Sequence, residues 1–248
     1  MDDAVPKCKH CPALLAYVTS WVHPPTATIT MTNIRKALDS AVKKISDQHY
    51  EQSFAYFRHW FRIGQTHLQI SSDLALDSIY ENRASVPWDP HYDFIYPTAH
   101  LILRFVNDVE SDSTLAPHSA GLRNRFCARI LQKFFDDDLY TIHVNSSWGF
   151  SYLDINLIAH CANLGYLEEE TIRDHILQSL ISHDKLYDHQ AIALVILFKI
   201  AGATFAAYAD PVVVDRCFEL LKNHGHISRK GWSEQLKVST FFVQKCRD

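Results

Sequence analysis

Glycine is scarce in this chain, and the loops that depend on glycine are missing with it. Seven of the 248 residues are glycine, whereas the sharp turns and phosphate-binding loops of α/β enzymes require several at fixed positions. The motifs GxGxxG, GxxxxGK[ST] and GxSxG are all absent. The sequence therefore argues against a nucleotide-binding fold and against an α/β-hydrolase.

An excess of positive charge is also lacking. The formal net charge is −4, which argues against a protein that coats nucleic acid by bulk electrostatics but allows local basic patches. The acidic start Met1-Asp2-Asp3 differs from the basic start of a signal peptide. No run of about 18 uncharged apolar residues occurs, so we expect no membrane-spanning helix and no membrane partner. The apolar run 191–200 is interpreted as the most buried helix.

Metal-ligand patterns are incomplete. Cys8 and Cys11 form one CxxC, but no second CxxC and no HxxxH completes a set of four zinc ligands. The six cysteines are scattered, and three lie on apolar helix faces, which predicts reduced thiols in a cytoplasmic protein, with the nucleus as the alternative compartment. We expect no metal and no cofactor.

Two acidic segments suggest a different class of protein. Segments 107–111 and 135–138 resemble the magnesium-binding motifs of class I terpene synthases, but they occur in reversed order and each lacks its last acid. A metal-dependent helical enzyme is therefore kept only as a third alternative.

Segments with helical periodicity fill most of the chain, and no β-hairpin signal interrupts them. In one segment Val214, Cys217, Phe218 and Leu221 are spaced i, i+3, i+4 and i+7. Helices are predicted near 12–22, 32–44, 67–84, 91–108, 118–136, 150–164, 168–182, 188–206, 211–223 and 231–245, and one more is predicted to open at the cap pair Ser46-Asp47.

These helices predict an all-α fold. Consecutive hairpins joined by short loops are typical of an α-solenoid, here of about five antiparallel hairpins of HEAT type, with a compact helical bundle as the alternative. We expect residues 1–28 to form an N-terminal helix and linker, and residues 29–248 to form a single helical-repeat domain.

Five short segments, in order and at near-constant spacing, carry a family resemblance. They are VKKIS at 42–46 with Tyr50 following, IYENRASVP at 79–87, LRNRFC at 122–127, IAHCANLGYL at 158–167 and LFKIAG at 197–202. Together they resemble the middle domain of eukaryotic translation initiation factor 4G, a five-hairpin HEAT-type domain. The resemblance implies a non-enzymatic scaffold that binds a DEAD-box RNA helicase of the initiation factor 4A type, in translation initiation or mRNA processing.

The resemblance also implies where a helicase would bind. Lys43, Lys44 and Ser46 are expected near one contact, and Lys230 with Trp232 near the other. The alternative is a helical-repeat module whose protein partner is unrelated to any helicase.

A basic stripe suggests a further activity. Arg125, Arg129 and Lys133 are spaced i, i+4 and i+8, so they lie on one face of a helix. Such a stripe could bind RNA phosphates weakly, although a solvated polar face has the same pattern.

Overall fold

The computed structural model describes residues 29–86, 98–136, 148–182 and 184–224. These residues form nine α-helices and no strand, which confirms the predicted all-α class. The helices are α1 Met31–Lys43, α2 Tyr50–Leu68, α3 Ser72–Asn82, α4 Ala99–Ser111, α5 Leu122–Asp136, α6 Trp148–Asn163, α7 Leu177–Leu180, α8 Asp188–Tyr208 and α9 Pro211–Lys222. A 3₁₀ turn, Arg83–Ser85, follows α3, and a π-helix, Thr171–Ile176, leads into α7. The helices predicted over 12–22 and 231–245 lie outside the described residues.

Three helices begin at side-chain caps. The Thr30 hydroxyl accepts a hydrogen bond from the Asn33 N–H at the start of α1, and Ser71 accepts one from the Asp73 N–H at the start of α3. At α9, Asp210 accepts from Val212 N–H at 2.8 Å, and Pro211 takes the first helical position. Each cap satisfies a donor that the first turn leaves without a partner inside the helix.

Helix α2 begins and ends elsewhere than the sequence indicates. Its N-cap is His49 rather than the predicted pair Ser46-Asp47. At its other end, Gln69 adopts a left-handed conformation with φ 52°. A Cβ on Gly64 would collide with the side chain of Ile70, which folds back onto α2. The helix predicted from residue 67 therefore starts at Ser72, because the chain must first complete this turn.

Contacts divide the described chain into two compact units, and the first contains 29–86 and 108–120. In this unit α1 packs against both α2 and α3. Its core includes the fully buried side chains of Ile34, Leu38, Phe57, Phe61 and Ile79. Burial of these large apolar side chains supplies the main stabilisation of the unit.

A partly buried polar network joins α1 to α3 in the first unit. One oxygen of Asp39, Oδ1, accepts hydrogen bonds from Arg35 Nε at 2.9 Å, Ser78 Oγ at 2.7 Å and Asn82 Nδ2 at 2.8 Å. Ser78 and Asn82 are buried. Their polar atoms are therefore satisfied inside the protein, as buried polar groups must be.

The second unit contains 98–107, 121–136, 148–182 and 184–224. Here α5 packs against α6, α6 against α8, and α9 against α7 and α8. The short turn predicted after α6 is confirmed, with Gly165 at φ 69°. Packing of consecutive helices in pairs agrees with the predicted hairpins. The boundaries 1–28 and 29–248 stay predictions.

Helix α8 is the central helix of the second unit, and it corrects one inference from the sequence. Residues from Ala191 to Phe198 are buried without interruption, which is typical of a helix enclosed on all sides. The segment His189–Tyr208, with a mean hydropathy of 2.0 and 61% of its most apolar window buried, is long and apolar enough to cross a membrane by length and composition. The absence of an uncharged apolar run, which Lys199 interrupts, was therefore not enough to exclude such a helix by length and composition. The core helix of a folded protein meets the same criteria.

Candidate functional site

The turn between α1 and α2 holds three of the residues predicted to bind a partner. Lys43 is the last residue of α1, and Lys44 is its C-cap, with its backbone N–H bonded to the carbonyls of Ala41 and Val42. Both lysine side chains are exposed. The next residue, Ile45, is fully buried and anchors the turn to the core. Two cations therefore project from a turn whose backbone is held in place.

Ser46 stabilises this turn by hydrogen bonds to His49. Its hydroxyl lies 3.1 Å from Nδ1 of His49 and accepts a hydrogen bond from the His49 backbone N–H at 3.3 Å. Ser46 is half-buried, so its role in the structure is to position the start of α2. The structure thus brings Lys43, Lys44 and Ser46 together. Lys230 and Trp232 lie outside the described residues.

The basic stripe on α5 is partly used inside the protein. The Lys133 ammonium lies 3.0 Å from Oδ2 of Asp154 on α6, and the two side chains are only 22% and 7% exposed. Arg125 Nε donates to the carbonyl of Gly121 at 3.4 Å, and Arg129 is half-buried. The three residues do share one helix, but the charge of Lys133 is already neutralised by a buried carboxylate.

A groove that the sequence analysis missed runs along the exposed side of α2. It has a volume of about 420 Å³, and every described residue that lines it belongs to α2. These residues are Arg58, His59, Arg62, Thr66 and His67, with Ala55 one turn before Arg58 and Ile63 next to Arg62; we call this set the α2 basic face. The signal in the sequence that indicates this face is the i, i+4 spacing of Arg58 and Arg62.

Arg58 is held at one edge of the α2 basic face by an acid from another segment. Its Nη1 lies 3.4 Å from Oδ2 of Asp112, and the Arg58 side chain remains 44% exposed. Burial tends to raise the pKa of Asp112, but hydrogen bonds from Thr114 and the charge of Arg58 outweigh it, and the pKa is lowered from its ordinary value. The Arg58 guanidinium also lies 5.9 Å from the ring centre of Phe54.

Two histidines meet in the second unit. The rings of His100 on α4 and His160 on α6 have centroids 6.5 Å apart. Burial, and to a smaller extent the charge of His100, lowers the pKa of His160 to about 4. His160 is therefore neutral at physiological pH, because the structure disfavours its charged form.

The cysteines of the described residues are buried thiols, as the sequence predicts. The sulfur atoms of Cys127 on α5 and Cys161 on α6 lie 3.4 Å apart. The hydrogen bond with Cys127 and burial raise the pKa of Cys161 well above its ordinary value. Burial raises the pKa of Cys217 to about 12. Since the thiolate is the reactive form of cysteine, these thiols are unsuited to nucleophilic chemistry.

The acidic segments considered for metal binding are either engaged or outside the described residues. Asp108 accepts a hydrogen bond from the Tyr50 hydroxyl at 2.7 Å. Cys8, Cys11 and the segment 137–138 are not described. Across 29–86, 98–136, 148–182 and 184–224, no three side chains of His, Cys, Asp or Glu lie close enough together to hold a metal ion.

Comparison with known proteins adds no family. No protein-family model, no curated protein and no solved structure matches this chain. The established description is an all-helical protein with nine α-helices in its described part.

Proposed function

We propose that this protein is a non-enzymatic helical scaffold, similar to the middle domain of eukaryotic translation initiation factor 4G. In this proposal it binds a DEAD-box RNA helicase of the initiation factor 4A type and acts in translation initiation or mRNA processing. The proposal rests on five sequence segments that occur in the order and spacing of that family. The cytoplasm is the proposed compartment, with the nucleus as the alternative.

One structural observation supports a contact at the α1–α2 turn. Lys43 and Lys44 are exposed side by side, while buried Ile45 and the Ser46–His49 hydrogen bonds hold the backbone beneath them. A turn held in this way presents its charges without a large loss of conformational entropy on binding. Loops at the ends of helical hairpins are the usual binding surfaces of repeat proteins.

The experiment is a pull-down of a purified DEAD-box helicase of the initiation factor 4A type, combined with measurement of its RNA-stimulated ATPase rate. We expect the wild-type chain to bind and to raise the ATPase rate. The double variant Lys43→Glu/Lys44→Glu should weaken binding about tenfold or more, since it places like charges where complementary ones are needed. Absence of both binding and stimulation by the wild-type chain would remove the proposal.

A matched control separates a local contact from a change in overall charge. The variant Lys36→Glu/Lys222→Glu makes the same two charge reversals at exposed positions of α1 and α9. It should bind the helicase within about twofold of wild type, because long-range charge effects are screened at physiological salt. Equal losses in the two double variants would show that the α1–α2 turn is not the contact.

A separate part of the proposal is weak RNA binding by the α5 stripe, which the contact between Lys133 and Asp154 limits. The ammonium of Lys133 would have to leave Asp154 to reach a phosphate, which would strand a buried carboxylate. RNA binding there should depend on Arg125 and Arg129 rather than on Lys133, and it should weaken steeply as salt rises. Filter binding over a salt series measures this directly.

A second candidate function is a helical module whose protein partner is unrelated to helicases. The observation that favours it is the α2 basic face, which lies outside the five segments that carry the family resemblance. Co-purification from the source cell followed by mass spectrometry would separate the two candidates, since each one requires a different class of partner.

A further inference from the structure

We propose that the α2 basic face is a docking surface for an acidic peptide segment, rich in aspartate and glutamate, of a partner protein. This surface is separate from the α1–α2 turn and uses none of the residues expected to contact a helicase. The inference is therefore independent of the scaffold proposal, and each can fail without the other.

The first argument is charge complementarity on a chain that is acidic overall. The face carries two guanidinium groups and two imidazole rings, all exposed, on a protein of net charge −4. Glu51, about two turns before Arg58, is the one acid within α2. Among the described residues Arg62 has no ion-pair or hydrogen-bond partner, so its guanidinium is available to an external carboxylate. Local fields of this kind steer oppositely charged partners to one patch.

The second argument is spacing. Arg58 and Arg62 lie on successive turns, and their Cα atoms are separated by about 6 Å along the helix axis. Alternate side chains of an extended peptide are separated by about 6.6 Å and point to the same side. Two acids at positions i and i+2 of such a peptide can therefore each meet one guanidinium, which binds carboxylates in a two-pronged geometry. From Arg58 to His67 the face spans about 14 Å, which is the length of roughly four extended residues.

The third argument distinguishes a peptide from a nucleic acid. Surfaces that bind single-stranded nucleic acid combine a basic groove with aromatic side chains on which bases stack. None of the described lining residues is Phe, Tyr or Trp. Ala55 and Ile63 offer small apolar contacts instead, which suit the side chains that alternate with acids in a peptide.

The structure itself contains one example of the proposed recognition. Asp112, from the segment after α4, places a carboxylate oxygen 3.4 Å from Nη1 of Arg58. That contact uses one nitrogen of a side chain that is still 44% exposed. Arg58 is thus already oriented by one carboxylate, and its remaining N–H groups can donate to a second. One turn away, Arg62 can bind a further carboxylate of the same peptide.

The test uses the full chain and a fluorescein-labelled eight-residue peptide that alternates Glu with Ser, measured by fluorescence anisotropy at low salt. We expect saturable binding that the same peptide with Gln in place of Glu does not show. Arg62→Glu should weaken binding at least about tenfold, and Arg62→Gln should weaken it by a smaller factor. Circular dichroism melting of each variant should match wild type, because Arg62 is exposed and makes no hydrogen bond or ion pair in the described structure.

The control is Lys36→Glu, an equal charge reversal at an exposed position of α1 in the same compact unit. It should change peptide affinity by less than about twofold, since the site is local. Any of three binding results would overturn the proposal: no saturable binding of the Glu peptide, equal losses for Arg62→Glu and Lys36→Glu, or tighter Arg62-dependent binding of an eight-nucleotide oligouridylate. The last result would assign the face to nucleic acid. Dimer formation that is lost in Arg62→Glu, seen by sedimentation, would assign it to a second copy of this chain and likewise overturn the proposal.

Discussion

The ion pair between Lys133 and Asp154 should be worth far more to stability than an ordinary surface pair. Both side chains are largely removed from water, and Asp154 on α6 is only 7% exposed. Replacing Lys133 with Met keeps a long apolar side chain on α5 but leaves the carboxylate of Asp154 without its ammonium. Loss of one partner of a fully buried pair costs about 3–5 kcal/mol. Because Lys133 retains 22% of its exposure, water can reach the site in part, and we expect a cost of about 2 kcal/mol.

The assay is thermal and urea unfolding of Lys133→Met beside the matched variant Lys36→Met. For a chain of this size, about 2 kcal/mol corresponds to a fall in Tm of roughly 4–8 °C. Lys36 is exposed on α1, and its replacement should change stability by less than about 0.5 kcal/mol.

A double variant tests the stated cause. Lys133→Met/Asp154→Leu removes both charges, so most of the lost stability should return. Two results would refute the reasoning. One is an equal free energy of unfolding for Lys133→Met and Lys36→Met; the other is a double variant that is less stable than Lys133→Met instead of more stable. The result also decides how RNA-binding assays are read, because weaker binding by Lys133→Met would then reflect a changed α5–α6 contact.

Three further predictions concern other buried groups. The pKa of His160 is about 4 in the folded protein, against an ordinary value of 6.5, so the His160 imidazole binds a proton more tightly in the unfolded chain. The contribution of neutral His160 to the free energy of unfolding is therefore complete above pH 6.5 and is lost as the pH falls towards 4. This loss amounts to at most about 3 kcal/mol, and urea unfolding at pH 7 and pH 5 should show a smaller pH dependence for His160→Gln than for wild type. Asp39→Ala should lower the free energy of unfolding by about 1–3 kcal/mol, because the buried Ser78 hydroxyl loses its acceptor and Asn82 Nδ2 keeps only the Ser78 carbonyl; a loss below 1 kcal/mol in urea unfolding would contradict this. Cys217, whose pKa is raised to about 12 by burial, should react with a thiol reagent much more slowly in the native protein than in denaturant; mass spectrometry of the labelled peptide measures this, and equal rates would count against its burial.

Much of the secondary structure could be predicted, and particular residues show why. The stripe of Val214, Cys217, Phe218 and Leu221 predicted a helix over 211–223, and α9 is Pro211–Lys222. The helices predicted over 150–164 and 168–182 left only a short loop between them, and Gly165 in that loop has the positive φ of a tight turn. Both signals act within one or two turns of the chain, where spacing and backbone preference decide the outcome.

Errors occurred at the ends of helices, where a side-chain contact a few residues away fixed the boundary. Ser46-Asp47 has the composition of a helix cap, yet the Ser46 hydroxyl caps the short turn that ends at His49. Helix α2 begins after that turn, at Tyr50. The helix predicted from residue 67 starts at Ser72, because Ile70 packs against Gly64. The bounds of α8, by contrast, were predicted closely: 188–206 was expected and the helix is Asp188–Tyr208.

The candidate sites divide in the same way. From the sequence alone, the positions of Lys43, Lys44 and Ser46 near one helix end were apparent, and so was the spacing of the α5 stripe. The sequence could not show that Lys133 is paired with Asp154, which lies 21 residues later on another helix. It also could not show that Arg58 on α2 is paired with Asp112, which lies 54 residues later.

By itself, the sequence determined that this protein is helical, where most of its helices lie and which faces of them are apolar. Those properties follow from periodicity and capping, which depend on neighbours within a few residues. Only the tertiary structure decided which charged side chains are paired inside the protein and which remain available to a partner. Lys133 is paired with Asp154, for example, whereas Arg62 is exposed. The physical reason is that the state of a charged side chain depends on burial and on groups brought close by folding, and those groups are far away along the chain.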